Sequence, residues 1–329
     1  MKRLLSLVLA ATLALSLAAC TAPTQGNDGK DPTPTGSGEK ELTFGLVVMS
    51  TNSDYWLTLK DGAQKAVDAV GGKLVFTGPA DNNDIQGQVS LVENLINSKV
   101  DAILLTPLDS DALSAPVEKA MDAGIPVIII DSPVTTEKYT SFIATDNVAG
   151  GKMAMEKLVE AIGGSGEIVV VNALAGIPSN DKRGQGAEEH AATVDGIKVL
   201  PQQHCLDQAE AMTATENVII GNPELKGIFA TFNRGALGVA QAVINKGKSG
   251  DIKIVAFDAD ADEIKLLEDG TISALVVQQP YEMGKMGIEY AIKAINGEDV
   301  PKTVAPDVVV ATKDNMNDET IHKVLYPKG

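Results

Sequence analysis

Two carboxylates stand at matching places in this chain. Ile125-Pro126-Val127-Ile128-Ile129-Ile130-Asp131 and Ile252-Lys253-Ile254-Val255-Ala256-Phe257-Asp258 are each a short apolar run closed by an aspartate. Runs this short and this apolar suit strands buried on both faces. Each aspartate then lies at a strand's carboxyl end, where the ordinary role is to cap a turn. Two of them, one per half of the chain, would face one another if the carboxyl edges of two sheets met across a cleft. A third stretch, Phe44 to Ala63, carries other candidate chemistry. Its apolar run Leu46-Val47-Val48-Met49 reads as a strand, and a polar loop, Ser50 to Asp54, follows. Tyr55 and Trp56 then open a helix in which Trp56, Leu59, Ala63, Ala66, Val67 and Val70 recur at helical spacing. Ligands of α/β domains sit outside the carboxyl ends of the strands. Two aromatics among small polar groups at that place suit a ring-shaped polar ligand. The spacing of Trp56 equally suits a core position.

The remaining reactive residue types form no catalytic constellation. His190, His204 and His322 are scattered, and none has the spacing of a zinc site. No Gly-x-Ser-x-Gly elbow occurs, and no Gly-x-Gly-x-x-Gly follows the first strand. No cofactor or metal is therefore expected. Cys205 reads as a buried small hydrophobe. The net charge of −17 argues against a nucleic acid or an anionic membrane face as partner.

The elements that must position these residues alternate regularly. The first half predicts strands at 74–76, 102–105, 127–130 and 142–144, with helices over 85–96 and 112–123. The second half predicts a helix over 148–162, capped by Asp146 or Asn147 and closed by Gly163-Gly164. After it come strands at 168–171, 199–200, 228–230, 252–257 and 274–277. Helices over 179–194, 208–220, 236–245, 261–268 and 281–296 separate and follow them. This order implies mostly parallel sheets with helices on both faces. Gly150-Gly151 and Gly163-Gly164 read as helix packing and capping.

The chain's beginning reads as an export signal. Lys2 and Arg3 precede an apolar run, Leu4 to Leu17, too short to span a bilayer comfortably. It ends Leu17-Ala18-Ala19-Cys20, which looks like a bacterial lipobox with Cys20 as the acylated residue; an ordinary secretory signal or a short membrane anchor is the alternative. Thr21 to Lys40 is rich in Thr, Pro, Gly, Asp and Ser and cannot bury enough surface to fold. The expected divisions are a signal peptide over 1–19 and a lipid-anchored tether over 20–41.

In order and spacing, several segments resemble the ribose-type branch of the periplasmic sugar-binding proteins, the solute-binding components of ABC importers. These are the lipobox, Ser53-Asp54-Tyr55-Trp56 with Lys60-Asp61-Gly62-Ala63, and Asp101-Ala102-Ile103 through Thr106-Pro107 to Asp111-Ala112. Ala123-Gly124-Ile125-Pro126-Val127, Thr145-Asp146-Asn147, Phe257-Asp258 and Gln278-Gln279-Pro280-Tyr281 complete the set. The likeness covers Leu42 to Lys313. It implies an α/β fold of two Rossmann-like lobes with parallel sheets joined by a three-strand hinge, the type I periplasmic binding protein. Lobe 1 would be 42–145 plus 279–307, and lobe 2 would be 146–278 plus 308–329.

The resemblance also implies site residues: Tyr55 and Trp56 for stacking on a sugar ring, Asp131 and Asp258 for its hydroxyls, and Gln278 as the hinge amide. Sugar hydroxyls both donate and accept, so carboxylates and amides suit them. Four positions depart from the branch. Ser132 follows the cleft aspartate where Arg is usual. Asp181, beside Asn180, Lys182 and Arg183, stands at another Arg position. Phe232, with Asn233 next to it, replaces an Asn, and Ser53 stands where Asn is common. On this reading the cleft loses two guanidinium groups and gains a ring, and a carboxylate if Asp181 enters it rather than lying solvated at a helix start. That points away from ribose toward a different pentose or hexose, a polyol, or another small neutral or cationic solute. The expected partners are that solute, an ABC permease and a membrane through the lipid anchor, with the protein itself a monomer. A receptor of the same fold that passes a bound sugar or autoinducer-like molecule to a membrane sensor is the alternative.

Overall fold

The computed structural model of this chain describes residues 41–79 and 84–327. The expected signal peptide, the acylated Cys20 and nearly all of the tether lie outside the described residues. In chain order the first elements are β1 (Thr43–Val47), α1 (Asp54–Ala69), β2 (Lys73–Thr77), α2 (Ile85–Asn97), β3 (Ala102–Leu105), α3 (Ser114–Asp122), β4 (Val127–Ile130), β5 (Ser141–Ile143) and α4 (Asn147–Ala161). There follow β6 (Gly166–Ala173), α5 (Pro178–Ala191), β7 (Ile197–Val199), β8 (Gln203–Cys205), α6 (Gln208–Gly221), β9 (Leu225–Ala230), α7 (Asn233–Asn245), β10 (Lys253–Phe257), α8 (Ala261–Asp269) and β11 (Ala274–Val277). The last are α9 (Pro280–Ile295), β12 (Thr303–Val304), β13 (Val309–Ala311) and α10 (Glu319–Leu325).

The strands form two sheets of one design. The first runs β12-β5-β4-β3-β1-β2, and the second β13-β11-β10-β9-β6-β7, with β8 also paired to β6. Every neighbouring pair in the first sheet is parallel. In the second, β13 alone lies antiparallel, against β11. The central strands read Ala-Ile-Leu-Leu, Val-Ile-Ile-Ile and Ala-Leu-Val-Val and are buried along their whole length, because helices cover both faces. One face of the first sheet carries the core of α1 and α9, with Phe44, Trp56, Leu59 and Met283, and the other carries that of α2 and α3. The second sheet packs α4 and α5 on one face and α6, α7 and α8 on the other.

Two helices change sheets. α4 follows β5 of the first sheet yet packs on the second, and α9 follows β11 of the second yet packs on the first. A third connection, 305–308, runs from β12 to β13. Side chains stitch the three connections together: Thr145 Oγ1 donates to Gln278 Oε1 at 2.7 Å, and Gln279 Nε2 donates to the Asp307 carbonyl at 2.7 Å. Asp146 caps α4 by accepting from the Val148 and Ala149 N–H groups, at 3.1 and 3.0 Å.

Glycines let the paired helices touch backbone to backbone. A Cβ on Gly62 of α1 would lie 1.9 Å from the Tyr281 carbonyl oxygen, and one on Gly284 of α9 would lie 2.0 Å from that of Leu59. The second lobe repeats the device. A Cβ on Gly151 of α4 would lie 2.0 Å from the Arg183 carbonyl oxygen, and one on Gly186 of α5 would lie 2.1 Å from that of Val148. Helices seated this closely hold the first turns of α1 and α5, and the residues on them, in a set position.

Candidate functional site

Asp131 and Asp258 each end a central strand in a left-handed backbone conformation, with φ of 68° and 82°. Aspartate is among the few residue types that tolerate this region, because its short polar side chain can bond locally. The two turns match in register as well. The Asp131 N–H donates to the Ile143 carbonyl on β5 at 2.8 Å, and the Asp258 N–H donates to the Val276 carbonyl on β11 at 2.9 Å. The internal likeness of the two sequence segments is thus a likeness of place, one aspartate per lobe.

In lobe 1, Tyr55 and Ser132 orient the carboxylate. Tyr55 Oη donates to Asp131 Oδ1 at 3.0 Å and lies 3.8 Å from Met283 Sδ, while Ser132 Oγ donates to Asp131 Oδ2 at 3.0 Å. Burial pushes the Asp131 carboxyl up; its two hydrogen bonds and the Arg183 charge act against that, and Asp258 adds to it. Burial, followed by the charges of Asp131 and Asp258, pushes the Tyr55 hydroxyl well above its ordinary value. Tyr55, bonded to Asp131 in lobe 1, and Asp258 of lobe 2 line one cavity.

In lobe 2, Gln278 Nε2 donates to Asp258 Oδ1 at 2.7 Å while its own Oε1 accepts from Thr145. One buried amide therefore couples two of the three lobe connections to the lobe-2 carboxylate. Arg183 supplies a guanidinium that the resemblance did not assign. It is buried, donates from Nε to Asn147 Oδ1 at 2.8 Å and from Nη1 to the Thr231 carbonyl at 2.9 Å, and stacks 3.8 Å above the Phe257 ring. Its Nη1 stands 3.9 Å from Asp258 Oδ2, an ion pair beyond hydrogen-bond reach. This guanidinium lies two residues along α5 from Asp181, buried behind Asp258.

Other expected site residues take different places. Trp56 is 8% exposed and belongs to the lobe-1 core, its ring edge-on to Tyr55 at 4.7 Å and 88°. Of its two possible roles, the helical spacing described the one the structure holds. Asp181 accepts from the Gly176 N–H at 2.9 Å in the first turn of α5, which is the helix-start alternative rather than a cleft carboxylate. Phe232 packs on the lobe-2 core beside Gly235. Asn233 Nδ2 is engaged by Glu263 at 2.8 Å. Ser53 precedes α1 and its hydroxyl makes no capping bond.

A cavity of about 670 Å³ lies between the start of α1 and lobe 2, reaching Ile264 of α8 and Tyr326; Tyr55 and Asp258 line it, whereas Asp131 and Arg183 do not. Thr58 of α1, Asp260 beyond β10, and Gln278 and Pro280 at the connection also line it. Its volume is in the range of small-molecule sites. Among the described residues no group of side chains has the makings of a metal site. Cys205 is buried in the lobe-2 core, where burial raises its thiol. The arrangement can hold hydroxyls between opposed acceptors, with one cation and one amide beside them.

Two like lobes, three connections and a cleft with one carboxylate from each side define a solute receptor of the type I periplasmic binding fold. The chain belongs to the periplasmic binding protein family, whose domain pattern matches residues 44–299. It is 32% identical over 315 residues to the ribose import binding protein RbsB of Bacillus subtilis (strain 168), covering 95% of this chain and 100% of that one. It is 29% identical over 275 residues to the D-allose-binding periplasmic protein of Escherichia coli (strain K12), covering 80% and 88%. Among solved structures, an ABC transporter solute binding protein from Agrobacterium vitis bound with α-D-tagatopyranose matches with a TM-score of 0.78 and 33% identity, over 87% of this chain and 99% of that one.

Proposed function

We propose that this chain is the extracytoplasmic solute-binding component of an ABC importer and closes its lobes on a monosaccharide or a similar small polar solute. The observation that supports this is the matched pair of strand-end aspartates, Asp131 and Asp258, one at the carboxyl edge of each sheet. In this reading Asp131 and Asp258 take hydroxyls, Tyr55 offers its ring, and Arg183 and Gln278 complete the lobe-2 side. A solute bridging both lobes binds the closed form better and shifts the population toward it. The protein acts by binding rather than by catalysis, and the relatives' names, import binding proteins, favour transport over signalling. No described helix is long and apolar enough to cross a membrane. Attachment through an acylated Cys20 and a tether reaching residue 41 would supply membrane residence, with the closed monomer docking on a separate permease.

A thermal-shift screen tests this reading. The purified protein, freed of solute by unfolding and refolding, is exposed to pentoses, hexoses, polyols, nucleosides and amino compounds. A solute at a hundred times its dissociation constant adds about 2.7 kcal/mol, which moves the midpoint by roughly a few degrees. A sugar or polyol hit is expected. Hits confined to other classes would overturn the sugar assignment.

A further inference from the structure

Behind the cleft face of lobe 2 lies a carboxyl group with a one-sided set of partners. Glu263, the third residue of α8, has no exposed surface. Both donors that reach it converge on Oε2: Asn233 Nδ2 from the start of α7 at 2.8 Å and the Asp260 N–H at 3.0 Å. Its Oε1 is buried and has no hydrogen-bond partner. An ionised carboxylate in the interior needs acceptor bonds at both oxygens, and a bare one costs a large share of its solvation. A neutral acid loses far less: its carbonyl oxygen accepts two bonds, and the other oxygen carries the proton, leaving one unpaired O–H rather than a bare charge. Burial, followed by the negative charge of Asp258, pushes this carboxyl well above the ordinary range; Asp260 adds to it, and the bonds from Asn233 and Asp260 oppose it.

The groups around Glu263 give it no counter-charge. From α7 it meets the uncharged Asn233, from the end of β10 Asp258, and from its own cap Asp260. Lys265 on α8 pairs with Asp262 at 2.9 Å, and Arg183 is engaged by Asn147 and Thr231. Glu263 thereby ties the turn that carries Phe232 and Asn233 to the turn that carries Asp258 and Asp260.

We propose that Glu263 is a protonated positioning residue that holds these two lobe-2 turns at the spacing solute binding requires, so that its ionisation weakens binding. The inference rests on the solute-binding reading above. Ionisation would set a second negative charge beside Asp258 and loosen the tie between the two turns, so a solute that needs both turns in place binds the protonated form better. Affinity therefore falls as pH rises. Stability follows the same sign. The native state keeps this proton where an unfolded Glu, with a value of about 4.3, has lost it. Stability is then highest at low pH and declines from about pH 4.3 upward until pH passes the native value.

The test compares the purified protein with Glu263→Gln, which keeps the shape and is neutral at every pH. Affinities for D-ribose, D-allose and D-tagatose are measured by calorimetry from about pH 5.5 to about pH 9, with urea unfolding over the same range. The unmodified protein is expected to lose affinity by about threefold or more towards the alkaline end and to lose stability relative to Glu263→Gln, whose affinity shows no such alkaline loss. Parallel pH profiles in the two proteins overturn the proposal. In the unmodified protein, side-chain carboxyl ¹³C resonances of labelled glutamate provide a measurement that needs no variant. One glutamate is expected to titrate well above the rest; if all titrate in the ordinary range, the proposal fails. If that glutamate titrates high while neither these sugars nor any solute of the wider screen binds, the protonated tie stands and the solute-binding reading falls.

Discussion

Asp258→Asn separates the charge of the lobe-2 carboxylate from its shape. In the native site Oδ1 is held by Gln278 Nε2 at 2.7 Å, and Oδ2 is 3.9 Å from Arg183 Nη1, too far to be spent on it. In the proposed reading Oδ2 is the oxygen that takes a solute hydroxyl. The amide keeps an oxygen for Gln278 and turns the other position from an ionised acceptor into a neutral donor. A hydrogen bond to a charged group contributes about 1.5–3 kcal/mol, so affinity should fall by roughly tenfold to a hundredfold. The fold should survive, because Asn also tolerates the left-handed backbone that a φ of 82° requires. Asp258→Ala should weaken binding by at least about tenfold too, with added backbone strain. Isothermal calorimetry reads the affinity, and thermal unfolding without solute reads the fold. An affinity within about twofold of the unmodified protein, with the fold intact, refutes the placement of Asp258 in the site.

Three further outcomes are expected. Tyr55→Phe removes the donor to Asp131 Oδ1, one of the two bonds holding down a carboxyl that burial has raised. Affinity that depends on ionised Asp131 should be lost as pH falls, and the loss should set in at higher pH in Tyr55→Phe; calorimetry across the acid range reads the displacement. Gly62→Ala places a methyl 1.9 Å from the Tyr281 carbonyl oxygen and should destabilise by about 1–3 kcal/mol, lowering the midpoint of a thermal melt by several degrees. Cys20→Ala should move the protein from the membrane fraction to the soluble fraction on an immunoblot. Retention in membranes after signal cleavage refutes lipid attachment at that residue.

The alternation of short apolar runs and helical spacing made the sheets and most helices legible, and the likeness between the two aspartate-ended segments made their opposition legible. The short edge strands were not. β8, β12 and β13 are two or three residues long; β5 and β7 are as short, but the regular alternation with helices marked them, whereas β8 reads Gln-His-Cys and β12 and β13 follow the last long helix. Arg183 escaped because alignment to a motif position found Asp181, while the side chain that reaches Asp258 comes from the buried face of α5, where Gly151 and Gly186 bring α4 close. Glu263 did leave a signal. It follows Asp260 by three residues, the spacing of a capping box, but nothing in that spacing tells that the acid is buried beside Asp258. Trp56 carried two readings until the core was formed around it.

The exchange of α4 and α9 between sheets has a consequence for the order in which the protein can form. Strands β1 to β5 are complete by residue 143, yet one face of their sheet is only partly covered, by α1, until Met283, Ile288 and Ala291 of α9 arrive. The edge strand β12 comes later still. Lobe 2 likewise waits for β13 and α10 at the far end of the chain. Neither lobe is a contiguous stretch, so contacts that close each core span more than a hundred residues of sequence, and such contacts form slowly. A nascent or partly exported chain halted near residue 278 would hold most of two sheets and the finished surface of neither. Holding the chain unfolded until its last residues have crossed the membrane is thus compatible with this topology, whereas folding as it emerges would expose apolar sheet faces.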